Sequence, residues 1–247
     1  MVMVGLEVGV GESPPLVFVF TGESNSGGQA LNSAALPVEV AARSSIQILN
    51  NTTLAFQALD IGANNNIDHA GLDPALYHGM ELGLANHIEA GAFQCRTSVQ
   101  LIKTGQGGSL ISQWNVGGTY WTKFLERVDA ANMHPSTQWV VWYSQGINDA
   151  NGGNPVATWK AATVSHLAKI KAALPGCLIL MTEFGSLPGG NATYDTAIQE
   201  IAAADPDVVS VAFPGADSDD DYHWSYAGFR NTVVPAMVAA TLALGVR

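Results

Sequence analysis

The stretch Leu16-Val17-Phe18-Val19-Phe20, followed by Gly22-Glu23-Ser24-Asn25, carries the strongest fold signal in this chain. Five consecutive apolar residues with high β propensity predict a strand buried on both faces of a parallel sheet. The small-residue turn after it presents one side chain at the carboxyl edge of the sheet, where open α/β folds place their binding sites. That side chain is a serine, which needs a base and an oxyanion hole to act as a nucleophile.

Apolar, β-rich runs alternate along the chain with segments of helical spacing. The predicted strands are Leu16–Phe20, Ser98–Lys103, Trp139–Ser144, Leu178–Thr182 and Val208–Phe213. The predicted helices are Pro74–Ala90, Thr119–Met133, Pro155–Leu174, Ala192–Ala204 and Tyr226–Leu244. Because Pro235 lacks a backbone N–H, we expect the last helix to be kinked or to begin late. The alternation is typical of an α/β fold with a doubly wound, five-stranded parallel sheet.

The stretch from Gln29 to Gly71 departs from this alternation. Two short β-rich runs in it, Ser45–Leu49 and Thr52–Phe56, indicate a small hairpin. We expect the whole stretch to form a long excursion over the carboxyl edge of the sheet. Residues 1–15 are interpreted as an N-terminal lead-in or linker, and residues 16–247 as a single domain.

The composition indicates a folded, acidic protein. The hydrophobic fraction is 47%, the charged fraction is 13% and the net charge is −11. An acidic chain is a poor partner for nucleic acids and anionic membranes, and no apolar run is long enough to span a bilayer. A small-molecule or carbohydrate ester is the expected partner. Residues 1–15 do not resemble a signal peptide, and the composition favours an extracellular or virion-associated protein, with the oligomeric state left open.

Neither a metal nor a cofactor is expected. The two cysteines, Cys95 and Cys177, do not form a CxxC pair, which argues against a zinc or redox site. The segment Asp217–Asp221 contains a D-x-D-x-D pattern. An EF-hand loop, however, needs glycine at its sixth position and glutamate at its twelfth, where this chain has Tyr222 and Gly228. We interpret the segment as an acidic, solvated loop.

Four polar or glycine-rich blocks directly follow predicted strands. Ser24 follows the first strand, and the other three are Gly105-Gln106-Gly107-Gly108-Ser109-Leu110 with Trp114, Gln145-Gly146-Ile147-Asn148-Asp149, and Asp220-Asp221-Tyr222-His223. Because the carboxyl ends of parallel strands meet at one edge of a doubly wound sheet, we expect the four blocks to converge there.

The blocks resemble the motifs of the SGNH (GDSL-type) hydrolases, most closely the carbohydrate esterase branch of acetylxylan esterases and sialate O-acetylesterases. The chain has GESN at 22–25, GGSL at 107–110, WYSQGIND at 142–149 and DDYHWSYAG at 220–228. The resemblance extends from Leu16 to the C-terminus. It implies a three-layer, flavodoxin-like fold with strand order 2-1-3-4-5. That order separates the strands next to Cys95 and Cys177 by about 14 Å, so both should be free thiols.

The resemblance also implies roles for individual residues. Ser24 would be the nucleophile, His223 the general base, and Asp220 the residue that orients His223. The oxyanion hole would consist of the backbone N–H groups of Ser24 and Gly108 and the side-chain amide of Asn148. Further residues of the same blocks are assigned to substrate binding: Glu23, Asn25, Gln145 and Trp224, the last as a platform on which a sugar could stack.

Two positions combine features of different branches. Position 23 is Glu, where the esterase branch has Gln and the wider superfamily has Asp, and Asn148 occupies the oxyanion position of the wider superfamily. We expect a serine esterase that removes O-acetyl or other short acyl groups from a carbohydrate. The alternatives are a short-chain acyl esterase or thioesterase with other substrates, and a non-catalytic carbohydrate-binding or virion-surface module. The sugar and the hydroxyl position stay open.

Overall fold

Nine strands and nine α-helices occur within residues 14–61, 76–94 and 98–247, the part of the chain that this computed structural model describes. The strands are β1 (Leu16–Gly22), β2 (Ala30–Leu31), β3 (Arg43–Leu49), β4 (Phe56–Leu59), β5 (Tyr77–His78), β6 (Val99–Lys103), β7 (Gln138–Ser144), β8 (Leu178–Thr182) and β9 (Val208–Val211). The helices are α1 (Ser24–Gly27), α2 (Pro37–Val40), α3 (Met80–Glu89), α4 (Thr119–Ala131), α5 (Ile147–Asn151), α6 (Val156–Ala173), α7 (Ala192–Ala204), α8 (Tyr226–Gly228) and α9 (Val234–Ala243).

The central sheet has the order β4-β3-β6-β1-β7-β8-β9. All neighbouring strands in it are parallel except β3 and β4, which pair antiparallel. The five strands expected from the sequence appear as β6-β1-β7-β8-β9, so their predicted order is confirmed. The predicted strand number was wrong, because the sheet has seven strands rather than five.

The two additional strands come from the stretch that departed from the alternation. β3 pairs with β6 through Gln47 opposite Gln100 and Ile48 opposite Leu101, and β4 folds back on β3. A hairpin therefore exists, but its second strand is Phe56–Leu59 rather than the predicted Thr52–Phe56, and it extends the sheet at its β6 side instead of passing over the carboxyl edge. Ile46 and Ile48 are buried while Gln47 between them is exposed. This period-two pattern lets one face of β3 join the core while the other faces water.

Helices cover both faces of the sheet, which confirms the predicted three layers. Adjacent side chains of β7 point to opposite layers: Trp142 Nε1 donates to Thr241 Oγ1 of α9 at 3.2 Å, whereas Tyr143 Oη lies 3.0 Å from His166 Nδ1 of α6. Helix α3 packs with α9, and α7 packs with α6. Trp121 of α4 contacts the His166 ring, which places α4 in the α6 layer.

The helix bounds follow the predictions closely, with two differences. Helix α3 begins at Met80 rather than at Pro74: Tyr77–His78, predicted to be helical, form strand β5, and Pro74 itself lies outside the described residues. The last helical segment changes character before Pro235, where Phe229–Val233 is π-helical and α9 begins at Val234. Proline removes one N–H and crowds the carbonyl four residues earlier, and a wider turn before it accommodates both effects.

Several expectations are only partly covered by the described residues. Cys177 is a buried free thiol, and burial raises its pKa to about 12, while Cys95 lies outside the described ranges. Residues 1–13 also lie outside them, so the division into a lead-in and one domain stays a prediction. No helix in the described ranges is both long and apolar enough to cross a membrane.

The backbones of β1 and β7 lie in close contact at their carboxyl ends. They pair along their whole length, from Leu16 opposite Gln138 to Gly22 opposite Ser144. Gly22 has a φ of 122°, and a Cβ at this position would overlap the carbonyl oxygen of Ser144. Only glycine fits here, because the position demands both a left-handed conformation and a backbone without a side chain.

We predict that Gly22→Ala lowers the free energy of unfolding by at least about 3 kcal/mol, because the new methyl group must displace the Ser144 backbone. Gly176→Ala is the matched control. It also has a positive φ of 74°, but no atom lies within 4 Å of its Cβ position. Its expected cost is about 1 kcal/mol. Urea denaturation of both variants measures the difference, and equal losses would contradict the packing argument.

Candidate active site

A sharp turn after β1 carries the serine that the sequence singled out. The backbone N–H of Glu23 donates to Ser144 O at 2.7 Å, which ties the turn to the end of β7. Helix α1 then begins at Ser24, and its last turn closes where Gly28 N–H donates to Ser24 O at 2.6 Å. The Ser24 hydroxyl is therefore held at the carboxyl edge of the sheet by backbone hydrogen bonds on both sides of it.

Ser24, His223 and Asp220 form a continuous chain of hydrogen bonds. Ser24 Oγ lies 3.0 Å from His223 Nε2. On the other side of the ring, His223 Nδ1 lies 2.8 Å from Asp220 Oδ2 and 3.0 Å from Asp220 Oδ1. In the tautomer with its proton on Nδ1, the imidazole donates to the carboxylate and accepts from the serine hydroxyl. A base placed this way can remove the hydroxyl proton.

The Asp220 carboxylate is stabilised in its ionised form. Its partial burial acts to raise its pKa, but hydrogen bonds from the His223 ring and from the backbone N–H of Tyr222 outweigh that effect and lower the pKa. The backbone bonds to Oδ1 measure 2.7 Å from Tyr222 N and 2.8 Å from His223 N. Asp220 therefore stays charged across the neutral pH range, where it can hold the imidazole in one orientation.

Asn25 joins the serine turn to the histidine loop. Its side-chain Nδ2 donates to Tyr222 O at 2.9 Å, and its Oδ1 accepts from Trp224 N at 3.3 Å. These bonds lie on either side of His223 and connect residues almost 200 positions apart in sequence. Both polar atoms of the buried Asn25 side chain are used in these bonds, so the structure places it within the framework of the site.

Trp224 does not offer a stacking surface. The side chain is 0% exposed, and its ring packs edge-to-face against Phe213 and Phe229 at centroid distances of 5.2 and 5.9 Å. Its indole N–H donates to Ser186 Oγ at 3.1 Å. The expectation of sugar stacking on this residue was wrong, because stacking needs an open ring face and both faces lie in the core.

The three groups expected to form an oxyanion hole come from three separate loops. The N–H of Ser24 is at the first residue of α1, where a helix has no intrahelical acceptor for it. Gly108 lies in an exposed loop with a φ of 69°. The Asn148 amide Nδ2 lies 3.4 Å from Ser109 O and 3.3 Å from Glu23 Oε2. The amide is thus held between the serine turn and the loop Gly105–Leu110, which we call the glycine loop.

Glu23 and Gln145 lie behind the site. Glu23 is 0% exposed, and its Oε2 accepts from the N–H groups of the segment Gly146–Asn148. Burial raises the pKa of Glu23 to about 8, although these backbone hydrogen bonds act to lower it. The Gln145 amide, also buried, lies 3.4 Å from Ser109 O. Neither side chain faces a substrate, contrary to the assignment made from the sequence.

Two buried charged groups that support the site were missed by the sequence reasoning. Asp149 accepts from the backbone N–H of Ile111 at 2.9 Å and so joins α5 to the glycine loop. Lys103, at the end of β6, pairs with Glu81 of α3 at 2.7 Å, and Gly79 N–H donates to the same carboxylate. The available signal was a lysine that ends an otherwise apolar strand, since a charge rarely occurs there without a partner.

The acidic loop next to the site is organised by hydrogen bonds between its own residues. Ser225 Oγ donates to Asp217 Oδ2 at 2.6 Å, and Asp219 N–H donates to His223 O at 3.0 Å. Within the described ranges, no group of three His, Cys, Asp or Glu side chains is arranged as a metal site. The expectation of metal-independent activity stays a prediction.

Comparisons with known proteins identify the family. A family model described as carbohydrate esterase, sialic acid-specific acetylesterase, matches residues 14–237. No curated protein matches the chain significantly.

Solved structures with the same fold are distant in sequence. A protein from Arabidopsis thaliana superposes with a TM-score of 0.76 at 19% identity, covering 93% of this chain and 98% of its own. NanS gives 0.70 at 13% identity, covering 95% and 98%. An acetylxylan esterase from Geobacillus stearothermophilus, solved as a catalytic mutant, gives 0.54 at 14% identity, covering 96% and 97%.

The architecture is thus that of the SGNH hydrolases, as expected. The match over residues 14–237 includes the whole central sheet. The chain therefore belongs to the carbohydrate esterase family of sialic acid-specific acetylesterases and is a carboxylic ester hydrolase.

Proposed function

We propose that this protein hydrolyses O-acetyl esters of a carbohydrate by a Ser-His-Asp mechanism with an acyl-enzyme intermediate. The observation that carries the proposal is the continuous hydrogen-bonded chain from Asp220 through His223 to Ser24 at the carboxyl edge of the sheet. Family membership supports the ester chemistry. The mechanism and the roles of individual residues are our inference from the geometry.

In the first half-reaction, Ser24 Oγ attacks the ester carbonyl carbon while its proton moves to His223 Nε2. The carbonyl π electrons move onto oxygen, which becomes negatively charged. When this intermediate collapses, the bond to the sugar oxygen breaks, and His223 gives its proton to the departing alcohol. A water molecule, deprotonated by the same imidazole, then attacks the acyl carbon. The bond from that carbon to Ser24 Oγ breaks, Oγ takes the proton back from His223, and the carboxylic acid leaves.

The negative oxygen of the intermediate needs donors that are already in place. The N–H of Ser24 and of Gly108 and the amide of Asn148 would supply them, each contributing about 3–4 kcal/mol to lowering the barrier. The start of α1 fixes the Ser24 N–H, and the bonds from Asn148 Nδ2 to Glu23 and Ser109 hold that amide close to the serine turn. These donors act on charge that exists only in the transition state, so the site can favour the transition state over the bound ester.

A carbohydrate substrate agrees with the charge of the protein. The net charge of −11 makes nucleic acids and anionic surfaces poor partners, whereas an acetylated sugar that is neutral or has a single carboxylate meets far less repulsion. A short acyl ester or thioester on another small molecule would use the same chemistry. The choice between these substrates depends on the groups around the leaving alcohol, not on the three residues of the hydrogen-bonded chain.

A panel of substrates tests the proposed activity. We expect acetate release from p-nitrophenyl acetate and from O-acetylated sugars, with acetylated xylan and O-acetyl sialic acid as the two sugar classes. Activity should fall as the acyl chain lengthens to butyrate and octanoate. Equal or faster turnover of acetyl thioesters or long-chain esters would contradict the substrate class, and no turnover of any ester would contradict the reaction.

Ser24→Ala should lower kcat by about 10³-fold or more, because the groups of the catalytic unit act together. The hydroxyl hydrogen-bonds His223 but fills little space, so the variant should keep its fold and its melting temperature. Steady-state kinetics with p-nitrophenyl acetate measures the loss, and circular dichroism checks the fold. Retention of more than about a tenth of the wild-type rate would show that Ser24 is not the nucleophile.

Asn148→Ala should lower kcat by about 10²–10³-fold with a much smaller change in KM, because the amide acts on charge that exists only in the transition state. The same kinetics on a soluble acetyl ester separates the two parameters. A change confined to KM would instead assign Asn148 to binding of the ground state.

A further inference from the structure

Glu23 occupies an unusual position for a carboxylic acid. It precedes Ser24 directly and is fully buried. Four donors converge on its Oε2: the backbone N–H groups of Gly146 at 3.2 Å, Ile147 at 3.1 Å and Asn148 at 3.4 Å, and Asn148 Nδ2 at 3.3 Å. One oxygen thus organises the loop that carries the amide assigned to the oxyanion hole.

The other oxygen of Glu23 has a different environment. Oε1 is buried and has no hydrogen-bond partner among the described residues. The four donors on Oε2 act to stabilise a negative charge, but a charged carboxylate would leave Oε1 buried in the core without any donor. A buried hydroxyl without an acceptor costs less free energy than a buried charged oxygen without a donor, so the environment of Oε1 favours the neutral acid, in which Oε2 is the carbonyl oxygen and Oε1 carries the proton.

The titratable groups that face Glu23 differ in their effect on its ionisation. Asp149, on α5, is a second buried acid whose negative charge disfavours ionisation of Glu23. Tyr143, on β7, is fully buried, and its pKa is raised well above its usual value by burial and by the charges of Asp149 and Glu23. His223 lies beyond Ser24, with its Nε2 3.0 Å from the Ser24 hydroxyl.

We propose that Glu23 is a positioning residue: as a neutral acid it holds the Gly146–Asn148 loop with the Asn148 amide available to the oxyanion, and its ionisation slows the reaction. The inference rests on the proposed function and adds one residue whose protonation state controls the rate. Glu23 contacts neither the substrate nor the reacting atoms. It acts through Asn148 and through the loop backbone.

Ionisation has two physical consequences for the reaction. A charged Oε2 binds the Asn148 amide more strongly, because hydrogen bonds to charged acceptors are about twice as strong as neutral ones. The amide is then less free to turn to the substrate oxygen. The new charge also lies close to the place where the intermediate becomes negative, and like charges repel strongly in a buried site. Both effects raise the barrier without changing ground-state binding.

The ionisation of Glu23 sets the direction in which kcat should change with pH. The pKa of Glu23 is raised to about 8, so the acid is neutral below that pH and ionises as the pH rises through it. Wild-type kcat should therefore fall on the alkaline side, by about tenfold or more between pH 7 and 9.5, with little change in KM. The acidic side of the profile, which depends on the base that accepts the Ser24 proton, should not involve Glu23.

Two substitutions test the proposal. Glu23→Gln keeps a carbonyl oxygen for the four donors but never ionises, so it should retain most of the pH 7 turnover and lose the alkaline decrease. Glu23→Ala removes the acceptor and should lower kcat about tenfold or more at every pH, with KM within about threefold. Glu200→Gln is the charge-matched control, since its carboxylate lies on α7 in an exposed pair with Lys160. It should keep the wild-type profile.

An independent readout separates this proposal from the esterase assignment. The side-chain amide signals of Asn148, assigned by their loss in Asn148→Ala, should shift in NMR spectra of the wild type with an apparent pKa near 8. They should not shift in Glu23→Gln. This measurement needs no substrate, so it remains valid if the protein hydrolyses no ester in the panel.

The proposal is overturned if the Asn148 amide does not titrate in the wild type, or titrates equally in Glu23→Gln. It is also overturned if Glu23→Gln keeps the alkaline decrease in kcat, or if Glu23→Ala folds and keeps wild-type kcat. If Glu23→Ala does not fold, the comparison of Glu23→Gln with the wild type decides alone. If no ester in the panel is hydrolysed but the Asn148 amide titrates as expected, the proposed reaction is contradicted, whereas the contact between Glu23 and Asn148 is supported.

Discussion

The close approach of β1 and β7 at their carboxyl ends is the constraint on which the site depends. Gly22 lies against the backbone of Ser144, and Glu23 N–H donates to Ser144 O at 2.7 Å. Without this contact the chain could not turn sharply enough to start α1 at Ser24. The same contact brings the side chain of Glu23 under the Gly146–Asn148 loop that follows β7. One backbone arrangement therefore positions both the candidate nucleophile and the loop that carries the Asn148 amide.

The remaining contacts hold loops from distant parts of the chain at that point. Asn25 binds the backbone on both sides of His223, and Asp149 binds the glycine loop through Ile111. Most of these groups are buried polar side chains with specific partners. Such networks are costly when broken, which makes them suited to holding a base within 3.0 Å of the Ser24 hydroxyl. The bonds of Asp149 to Ile111 and of Asn25 to Trp224 lie in the core, whereas the bonds of Asp220 to His223 lie at the exposed edge of the site.

Much of the fold could be predicted from the sequence, and the errors have physical causes. Apolar runs buried on both faces identify parallel strands well, and all five predicted strands are present in the expected order. The pairing of β3 with β6 was missed because one face of β3 is exposed, and its alternating pattern resembles that of a free-standing hairpin. Trp224 was assigned to the substrate because it follows His223, but its neighbours Phe213 and Phe229 enclose it.

The sequence by itself determined the chemistry available to this protein: a serine after a buried strand, a histidine three residues after an aspartate, and an asparagine in a glycine-containing turn. These signals are local, since each depends on the spacing of neighbouring residues. Only the tertiary structure decided which side chains face the site and which lie behind it. Burial and long-range hydrogen bonding depend on where distant segments pack, and so Glu23, adjacent to Ser24 in sequence, was found buried beneath the loop of Asn148.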